Sequence, residues 1–229
     1  MAIVKKYDAE VVALKQPAEG VYTVDMRSAG KPFDYYPGQF LHLALDEYDP
    51  SSGWPESRCF SMQTSPGKDL VRITFAVKGG FTRRMVSELA AGRHVTLKLP
   101  YGDLFTQDHN KANTVFMSGG TGITPFLALF SHGSFKAYSN PVLYAGFRNR
   151  SFNLYYAELA RAVEINPTFT ARYYYEDESG LINTGEVISG AGKDNTYFIS
   201  GPPAMIAFFK QSLQSGGVRP AQIKSDDWE

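Results

Sequence analysis

Short runs of β-branched and aromatic residues alternate with turn residues through the first hundred positions of the chain. Strands at this spacing are typical of an antiparallel barrel or sandwich. One helix is predicted over residues 82–89, because Met85, Val86 and Leu89 recur at helical spacing behind a Gly-Gly pair. The predicted strands are 10–14, 21–26, 40–45, the strand that 58–61 opens, 71–77 and 95–99. We therefore expect an N-terminal antiparallel six-stranded β barrel with one helix.

Beyond the polar stretch 107–113 the pattern changes to short apolar strands, most of them followed by a helical period. The predicted strands are 114–117, 142–145, 169–174 and 197–200, and the predicted helices are 125–130, 155–163 and 204–213. Strand-helix alternation implies right-handed crossovers and a parallel sheet. We expect a C-terminal α/β domain with a parallel sheet and place the domains at residues 1–110 and 111–229.

Composition and charge exclude several classes of protein. The chain has 229 residues, and its 23 Lys plus Arg balance 23 Asp plus Glu, so no whole-molecule attraction to nucleic acid or anionic lipid is expected. Cys59 is the single cysteine, which excludes an internal disulfide and a Cys-ligated iron-sulfur cluster. The four histidines lack metal-ligand spacing, so we expect no metal. No run of about 18 apolar residues predicts a membrane span, and a cytoplasmic location is expected.

A predicted strand runs directly into a glycine-rich turn and a helix at residues 115–125, which read Val-Phe-Met-Ser-Gly-Gly-Thr-Gly-Ile-Thr-Pro. Pro125 suits a first helical turn, where its missing amide proton would have no partner. Glycines allow a ligand to approach the backbone closely, and a helix start offers free amides and partial positive charge. Gly120, Thr121, Gly122 and Ile123 are therefore candidates for binding a pyrophosphate. An ordinary strand-to-helix turn is the alternative, because the spacing is not Gly-x-Gly-x-x-Gly.

Two segments of the predicted barrel have chemistry that suits a phosphate-bearing ligand. The segment Arg58-Cys59-Phe60-Ser61 offers a planar charged fork, a flat apolar ring and a hydroxyl. The segment Val77-Lys78-Gly79-Gly80-Phe81-Thr82 ends a strand and begins a helix with Thr82 near its N-cap, as the turn at residues 118–122 does. A solvated surface arginine and an ordinary capped helix are the respective alternatives.

Two features near the C-terminus complete the set of candidates. The turn Ser200-Gly201-Pro202-Pro203 follows a predicted strand and precedes a helix that carries Met205. Because ligands of a parallel sheet gather at the carboxyl ends of its strands, this turn and the turn at 118–122 are expected to face one crevice. Trp228 stands one residue from the C-terminus, where its indole must either bury or stack unless the chain end frays.

Together these motifs closely resemble the ferredoxin-NADP reductase family of flavoproteins, in matching order and spacing from about residue 8 to the end. In that family Arg-x-Tyr/Phe-Ser binds flavin, strand-Gly-x-x-Ser/Thr-helix holds the FAD pyrophosphate, Gly-Gly-Thr-Gly-Ile-Thr-Pro holds the nicotinamide dinucleotide, and Cys-Gly-Pro lies beside the nicotinamide. Residues 99–102, Leu-Pro-Tyr-Gly, and residues 144–149 also match. The resemblance implies an FAD-binding barrel, a nucleotide-binding α/β domain, and FAD with NADH or NADPH as cofactors.

The resemblance also implies a role for each matching residue. Arg58 would neutralise flavin phosphate charge, Phe60 would pack on the isoalloxazine or ribityl chain, and Ser61 would hydrogen-bond near flavin N5, where hydride arrives. Trp228 would cover the other flavin face, and Asp226 matches the acidic residue two positions before that aromatic. The implied catalytic residues are Ser61, Ser200 and Asp226. The implied cofactor-binding residues are Arg58, Cys59, Phe60, Ser61, Val77, Lys78, Gly80, Phe81, Thr82, Trp228, Gly120, Thr121, Gly122, Ile123, Arg148, Gly201, Pro202 and Met205.

Three positions depart from the family pattern. Ser200 stands where the family usually has cysteine, and Phe60 lacks the hydroxyl of the usual tyrosine. Asn153 occupies the place where NADH-preferring members often carry an aspartate, with Arg148 and Arg150 nearby. A 2′-phosphate prefers arginine, but no clear Ser/Arg cluster for it is present. The choice of donor stays open and leans slightly to NADH.

The function that these residues imply is an FAD-dependent NAD(P)H oxidoreductase that takes hydride from a nicotinamide dinucleotide onto flavin. Electrons would pass to a separate redox protein such as a ferredoxin, a flavodoxin or an oxygenase component, because flavin converts two-electron into one-electron chemistry. Two alternatives stay open. One is a flavin reductase that uses free flavin as a substrate, and the other is a non-catalytic subunit that holds flavin for electron relay or regulation.

Overall fold

The structure, a computed structural model, describes residues 3–226, so the role implied for Trp228 lies outside the described residues. The chain divides into two compact units, Met1–Asp103 and Leu104–Glu229. The boundary that the sequence predicts, after residue 110, stands within the segment that opens the second unit.

The first unit is a sheet of six antiparallel strands in the order β4-β3-β6-β1-β2-β5, with one helix. Its elements are β1 (Lys5–Ala18), β2 (Val21–Ser28), β3 (Phe40–Ala44), β4 (Ser57–Ser61), β5 (Leu70–Ala76), α1 (Gly80–Glu88) and β6 (His94–Tyr101). Beyond β4, the Gln63 amide donates to the Arg72 carbonyl of β5 over 2.9 Å, which brings the two edge strands together. The predicted six-stranded antiparallel barrel is confirmed.

Strand β1 is longer than predicted because both of its edges are paired. Its first part pairs with β6, from Lys5 opposite Leu99, and its second part pairs with β2, to Ala18 opposite Val21. Side chains alternate between the two faces of a strand, so Tyr7 is buried between exposed neighbours. A strand with one face in solvent needs this alternation of buried and exposed residues. The charged residues at the start of the chain made the alternation hard to recognise in the sequence.

The second unit is a five-stranded parallel sheet in the order β11-β10-β7-β8-β9, as the strand-helix alternation predicts. Its elements are β7 (Thr114–Gly119), α2 (Thr124–Phe130), β8 (Val142–Phe147), α3 (Tyr156–Ile165), β9 (Thr170–Tyr175), α4 (Glu176–Ser179), α5 (Thr184–Ala191), β10 (Thr196–Ser200), α6 (Pro203–Ser215) and β11 (Ile223–Ser225). Apolar side chains of both faces of the sheet are buried, which is why its strands read as continuous apolar runs.

Elements α4, α5 and β11 are absent from the sequence prediction. Two glycines weaken the helical pattern of α5, and Asn183 compensates by accepting hydrogen bonds from the Gly185 and Glu186 amides over 2.9 and 3.3 Å. Strand β11 is three residues long and forms by parallel pairing of Ile223 with Tyr197 of β10. Strand β11 therefore depends on tertiary pairing, whereas α5 depends on the local cap that Asn183 provides.

Residues that follow Asp103 belong to the second unit because their side chains enter its core. Leu104 is buried there, and the Phe105 ring lies 4.9 Å from that of Phe198. His109 Nε2 lies 2.7 Å from the Tyr138 hydroxyl. Burial is the main cause that lowers the pKa of His109. The sequence predicts the domain boundary within the polar stretch 107–113, but these contacts hold the segment against the parallel sheet.

The loops after β7 and β10 lie against each other at the backbone. The two strands pair in parallel with Ser118 opposite Ser200, so their carboxyl ends are neighbours. A Cβ atom at Gly122 would stand 2.5 Å from the Ser200 carbonyl oxygen and 2.6 Å from the Gly201 nitrogen, closer than real Cβ atoms come. Glycine is therefore required at residue 122 by packing between the two loops.

Replacing Phe105 with alanine should lower the free energy of unfolding by about 2 kcal/mol. The ring is only partly buried, so we expect less than the usual cost of a fully buried phenylalanine. Urea unfolding of the full chain measures the change. Phe208→Ala is the control, since that side chain is 56% exposed and its loss should cost no more than about 0.5 kcal/mol. Equal losses would contradict the assignment of the segment to the core.

Replacing Gly122 with alanine should lower the free energy of unfolding by about 3 kcal/mol, because the added methyl group meets backbone that cannot turn aside. For a chain of this size the change corresponds to roughly 6–12 °C in Tm. Gly133→Ala is the matched control, because its Cβ would meet nothing within 4 Å. A Gly122→Ala variant with the same Tm as the Gly133→Ala control would show that the two loops are not packed in this way.

Candidate functional site

Strand β4 carries the predicted flavin segment at an edge of the first unit's sheet. Paired with β3, it places Leu41 opposite Phe60. Phe60 is 8% exposed, and its ring lies 6.0 Å from that of Phe75 in the core. The side chain therefore offers little surface to a ligand, and its packing on flavin stays a prediction. Ser61, the next residue, is also buried.

Arg58, in one of the two segments of the first unit that are predicted to bind phosphate, contacts the other segment. Its guanidinium carbon stands 5.2 Å from the centre of the Phe81 ring in α1, a cation-π arrangement. Nη2 donates to Glu56 Oε1 over 2.9 Å, and Nη1 donates to the Ser57 carbonyl over 2.8 Å. The sequence does not signal Glu56 as a partner of Arg58. Both side chains of the ion pair are about half exposed, so solvent screens their attraction.

The start of α1 forms an open cradle. The Thr82 hydroxyl accepts hydrogen bonds from the Lys78 and Gly79 amides over 3.0 and 3.1 Å, and thereby shapes the turn. Thr82 is the third residue of the helix and Gly79 is its N-cap, so Thr82 lies near the N-cap as predicted, and the helix begins two residues before its predicted start. No heavy atom lies within 4 Å of a Cβ built on Gly79 or Gly80. The first amides of a helix lack intrahelical acceptors, which suits an anion here.

The neighbours of this cradle differ in their contacts. Val77 packs against the barrel core, and its amide donates to the Gly20 carbonyl over 2.9 Å, whereas Lys78 is exposed. The Cys59 side chain contacts His42 instead, with its Sγ 3.4 Å from Nε2 of that histidine. Burial and then Lys98 lower the pKa of His42. The structure thus brings Arg58 and Phe81 together but directs Cys59 toward the histidine.

In the second unit the glycine-rich segment Gly120–Ile123 is a 3₁₀ turn, and α2 begins only at Thr124, with Pro125 in its first turn as predicted. Gly120 has φ +54°, and nothing lies within 4 Å of a Cβ built on it. By contrast, a Cβ on Gly119 would stand 2.5 Å from the Met205 sulfur. Room for a ligand therefore exists at Gly120, while its neighbouring glycines serve packing within the unit.

Two predicted catalytic residues meet at the end of β10. Ser200 is 3% exposed, and its hydroxyl donates to Asp226 Oδ2 over 3.3 Å. The Asp226 amide donates to the Ile199 carbonyl over 3.0 Å, which extends the pairing of β11 with β10 by one residue. On the adjacent strand, the hydroxyl of Ser118 is buried and has no hydrogen-bond partner among the described residues. Polar groups therefore converge where β7 and β10 end.

A second polar group lies where β8 and β9 end. Arg150 donates through Nε and Nη2 to both carboxylate oxygens of Glu178, over 2.6 and 2.8 Å, which raises the pKa of Arg150. Asn153 Nδ2 donates to the Tyr175 hydroxyl over 3.2 Å, and that hydroxyl also contacts the hydroxyl of Tyr156. Arg148 lies beside this group, with its guanidinium 5.1 Å from the Phe152 ring. Sequence reasoning missed Glu178 because it stands in an acidic run typical of solvated surface.

Residues 3–226 contain neither a cluster of metal-ligating side chains nor a helix that could cross a membrane. No group of three or more His, Cys, Asp and Glu side chains in that range could hold a metal ion. No helix there is both long enough and apolar enough to cross a membrane.

Residues 116–211 match a family model described as the oxidoreductase NAD-binding domain. The match begins within β7 and ends within α6, so it includes the loops at the ends of β7, β8 and β10. The glycine-rich turn, Arg148 and the turn at Ser200 all lie inside it.

Curated relatives cover nearly the whole chain at low identity. The chain is 24% identical over 240 residues to the flavohemoprotein of Rhizobium meliloti (strain 1021), covering 93% of this chain and 58% of that protein. It is 25% identical over 234 residues to the ferredoxin–NAD(P)+ reductase component of the naphthalene 1,2-dioxygenase system of Pseudomonas putida. The alignment covers 94% of this chain and 67% of that protein. Across eight such relatives, the chain spans between 36% and 67% of the relative's length.

The fold is also that of a solved ferredoxin NADP+ reductase from Neisseria gonorrhoeae, with bound FAD and NADP, at a TM-score of 0.81. The alignment covers 97% of this chain and 98% of that one at 17% identity, so the likeness concerns the fold. An antiparallel barrel followed by a parallel-sheet domain is common to both. The matched NAD-binding domain, the relatives above and this fold all support the resemblance to the ferredoxin-NADP reductase family that the motifs indicate.

Proposed function

We propose that the chain is an FAD-dependent NAD(P)H oxidoreductase that passes electrons from a nicotinamide dinucleotide to a separate redox protein, such as a ferredoxin, a flavodoxin or an oxygenase component. The observation that carries the proposal is the convergence of Ser200, Asp226 and the glycine-rich turn within and beside the matched NAD-binding domain. The name of the Pseudomonas putida relative, which joins ferredoxin to NAD(P)+, supports the same activity.

The residues of the first unit fit the diphosphate of an FAD. When bound, FAD supplies the conversion of a two-electron hydride into single electrons. Arg58 would bind phosphate oxygens with its guanidinium, which makes a cation-π contact with the Phe81 ring. The amides of Gly80 and Phe81 would donate to the same anion, and Thr82 would hold the turn that presents them. Phe60, Cys59, Val77 and Lys78 border these groups, and Ser61 stays the proposed partner of flavin N5.

The residues of the second unit fit a dinucleotide. The open side of Gly120 would admit a pyrophosphate, with Thr121, Gly122 and Ile123 forming the turn beneath it. Asp226 accepts a hydrogen bond from the Ser200 hydroxyl and so fixes the side chain that stands where the family usually has cysteine. Ser200 would orient the nicotinamide through its oxygen. Gly201, Pro202 and Met205 would shape the wall of the crevice, and the neutral Ser200 hydroxyl would keep its proton throughout.

Flavin reductase activity toward free flavin is a second candidate, favoured by one observation. A phosphate that binds Arg58 must displace Glu56, whose carboxylate already accepts from Nη2 over 2.9 Å. That competition lowers the affinity for FAD and would make flavin an exchangeable substrate. A cytoplasmic location is part of the proposal as well, because the proposed nicotinamide donor and redox-protein acceptor are both cytoplasmic species.

The first test is the visible absorption spectrum of the purified full chain, followed by anaerobic addition of NADH or of NADPH. We expect a yellow protein that holds stoichiometric FAD and whose oxidised flavin bands bleach with at least one nucleotide. A colourless protein that oxidises nucleotide only with added flavin would favour the flavin reductase. A yellow protein that neither nucleotide bleaches would contradict the proposal and favour the relay subunit.

Single substitutions of Arg58 and of Glu56 test the proposed FAD site. Arg58→Gln should weaken FAD binding about tenfold to a hundredfold, since a hydrogen bond to a charged group contributes about 1.5–3 kcal/mol. Glu56→Gln should instead tighten it, because the competing carboxylate is gone. Arg27→Gln removes one exposed charge elsewhere on the first unit and should leave affinity unchanged. Titration of the apoprotein with FAD, followed by flavin fluorescence, measures each constant; weaker binding in Glu56→Gln would contradict the site.

A further inference from the structure

The ends of β8 and β9 carry an arginine whose charge is already matched. The two hydrogen bonds from Arg150 to Glu178 use the parallel fork that would otherwise bind a phosphate. The guanidinium carbon also lies 4.8 Å from the centre of the Tyr175 ring, so Arg150 makes both an ion pair with Glu178 and a cation-π contact with Tyr175. A ligand phosphate at Arg150 would have to displace Glu178 and would then remain beside its negative charge.

The wider charge balance at these strand ends is also unfavourable to a phosphate. The first turn of α4 carries three carboxylates, Glu176, Asp177 and Glu178. Arg148 and Arg150 are the cations that follow β8, and the Asp177 amide binds the Arg148 carbonyl over 3.3 Å, which keeps α4 beside them. The exposed Arg150–Glu178 pair contributes little stability by itself because water screens it. What decides against a phosphate is that Glu178 already occupies the Arg150 guanidinium, while the neighbouring carboxylates add negative charge.

Neutral hydrogen-bonding groups stand beside this acidic segment. Asn153 is 5% exposed, and its Oδ1 has no hydrogen-bond partner among the described residues. Its Nδ2 and the hydroxyl of Tyr156 both contact the Tyr175 hydroxyl, which fixes the orientation of the amide. A buried oxygen without a donor is costly unless a ligand supplies one. A ribose hydroxyl is a donor of the required kind, whereas an ionised phosphate is only an acceptor.

We infer that the donor is NADH and that Glu178 excludes NADPH by occupying Arg150 and adding negative charge where a 2′-phosphate would lie. The inference deepens the proposed function and rests on it. In open parallel sheets a dinucleotide binds outside the carboxyl ends of the strands, and its ribose 2′ position is read by an acidic residue or by an arginine. From the turns after β7 and β10, the next strand ends in the sheet are those of β8 and β9.

The test compares AMP with adenosine 2′,5′-bisphosphate, which differ only in the 2′-phosphate. Calorimetric titration of the full chain should show AMP binding about tenfold more tightly, the change expected for one unfavourable charged contact. Glu178→Gln should strengthen binding of the bisphosphate about tenfold and leave AMP binding unchanged. The ratio of kcat/KM for NADPH to kcat/KM for NADH should rise by a similar factor.

Two control variants separate the contact from general charge. Glu176→Gln removes the same charge from the same turn, but its carboxylate does not contact Arg150 in the structure, so its effect should be about threefold or less. Adding Arg150→Gln to Glu178→Gln should abolish the gain, because the freed guanidinium is the new phosphate ligand. Equal effects of Glu178→Gln and Glu176→Gln, or a gain that survives the loss of Arg150, would overturn the role of Glu178.

The outcomes also distinguish this inference from the proposed function. Wild-type protein that binds the bisphosphate as tightly as AMP, while nucleotides still bleach its flavin, overturns the choice of NADH and leaves the oxidoreductase intact. Protein that binds neither nucleotide, and whose flavin neither NADH nor NADPH bleaches, overturns the proposed function and the inference together.

Discussion

Parallel pairing of β7 with β10 is the constraint on which the nucleotide site of the second unit depends. Because Ser118 lies opposite Ser200, the chain must turn away from both strands at the same edge of the sheet. The two turns then occupy neighbouring space, and only glycine at residue 122 lets their backbones come together. The same pairing lets β11 add beside β10, which carries Asp226 to the Ser200 hydroxyl. One register thus determines the glycine positions, the crevice and the contact between the proposed catalytic residues.

Both sheets could be predicted from the sequence because their signals are periodic and local. Alternating short strands gave the antiparallel barrel, and strand-helix alternation gave the parallel sheet. Elements formed by distant pairing left no such signal. Strand β11 exists only through Tyr197 and its neighbours, and α5 depends on the Asn183 cap to offset its glycines. The sequence places the domain boundary within the segment before β7 because its polar residues give no sign that Phe105 packs against Phe198.

The candidate site was predictable as a set of segments and less so as a set of contacts. Motif order indicated the glycine-rich turn and the segment at Arg58, but the physical reason given for the glycines was only partly right. Gly120 leaves room for a ligand, whereas Gly122 is small because Ser200 lies against it. Ion pairs such as Arg150 with Glu178 join residues far apart in sequence, and no periodicity reveals them. Side-chain partners such as these therefore emerge only from the fold.

A carboxylate accompanies both arginines that could bind phosphate, yet the two surroundings lead to opposite results. Arg58 stands beside the start of α1, whose first turn carries no acidic residue and whose amides favour an anion. A phosphate that displaces Glu56 there exchanges one screened surface pair for several donors. Arg150 instead faces α4, whose first turn carries three acidic residues. A phosphate there would meet repulsion that one guanidinium cannot offset, so paired arginines admit an anion only where further donors surround it.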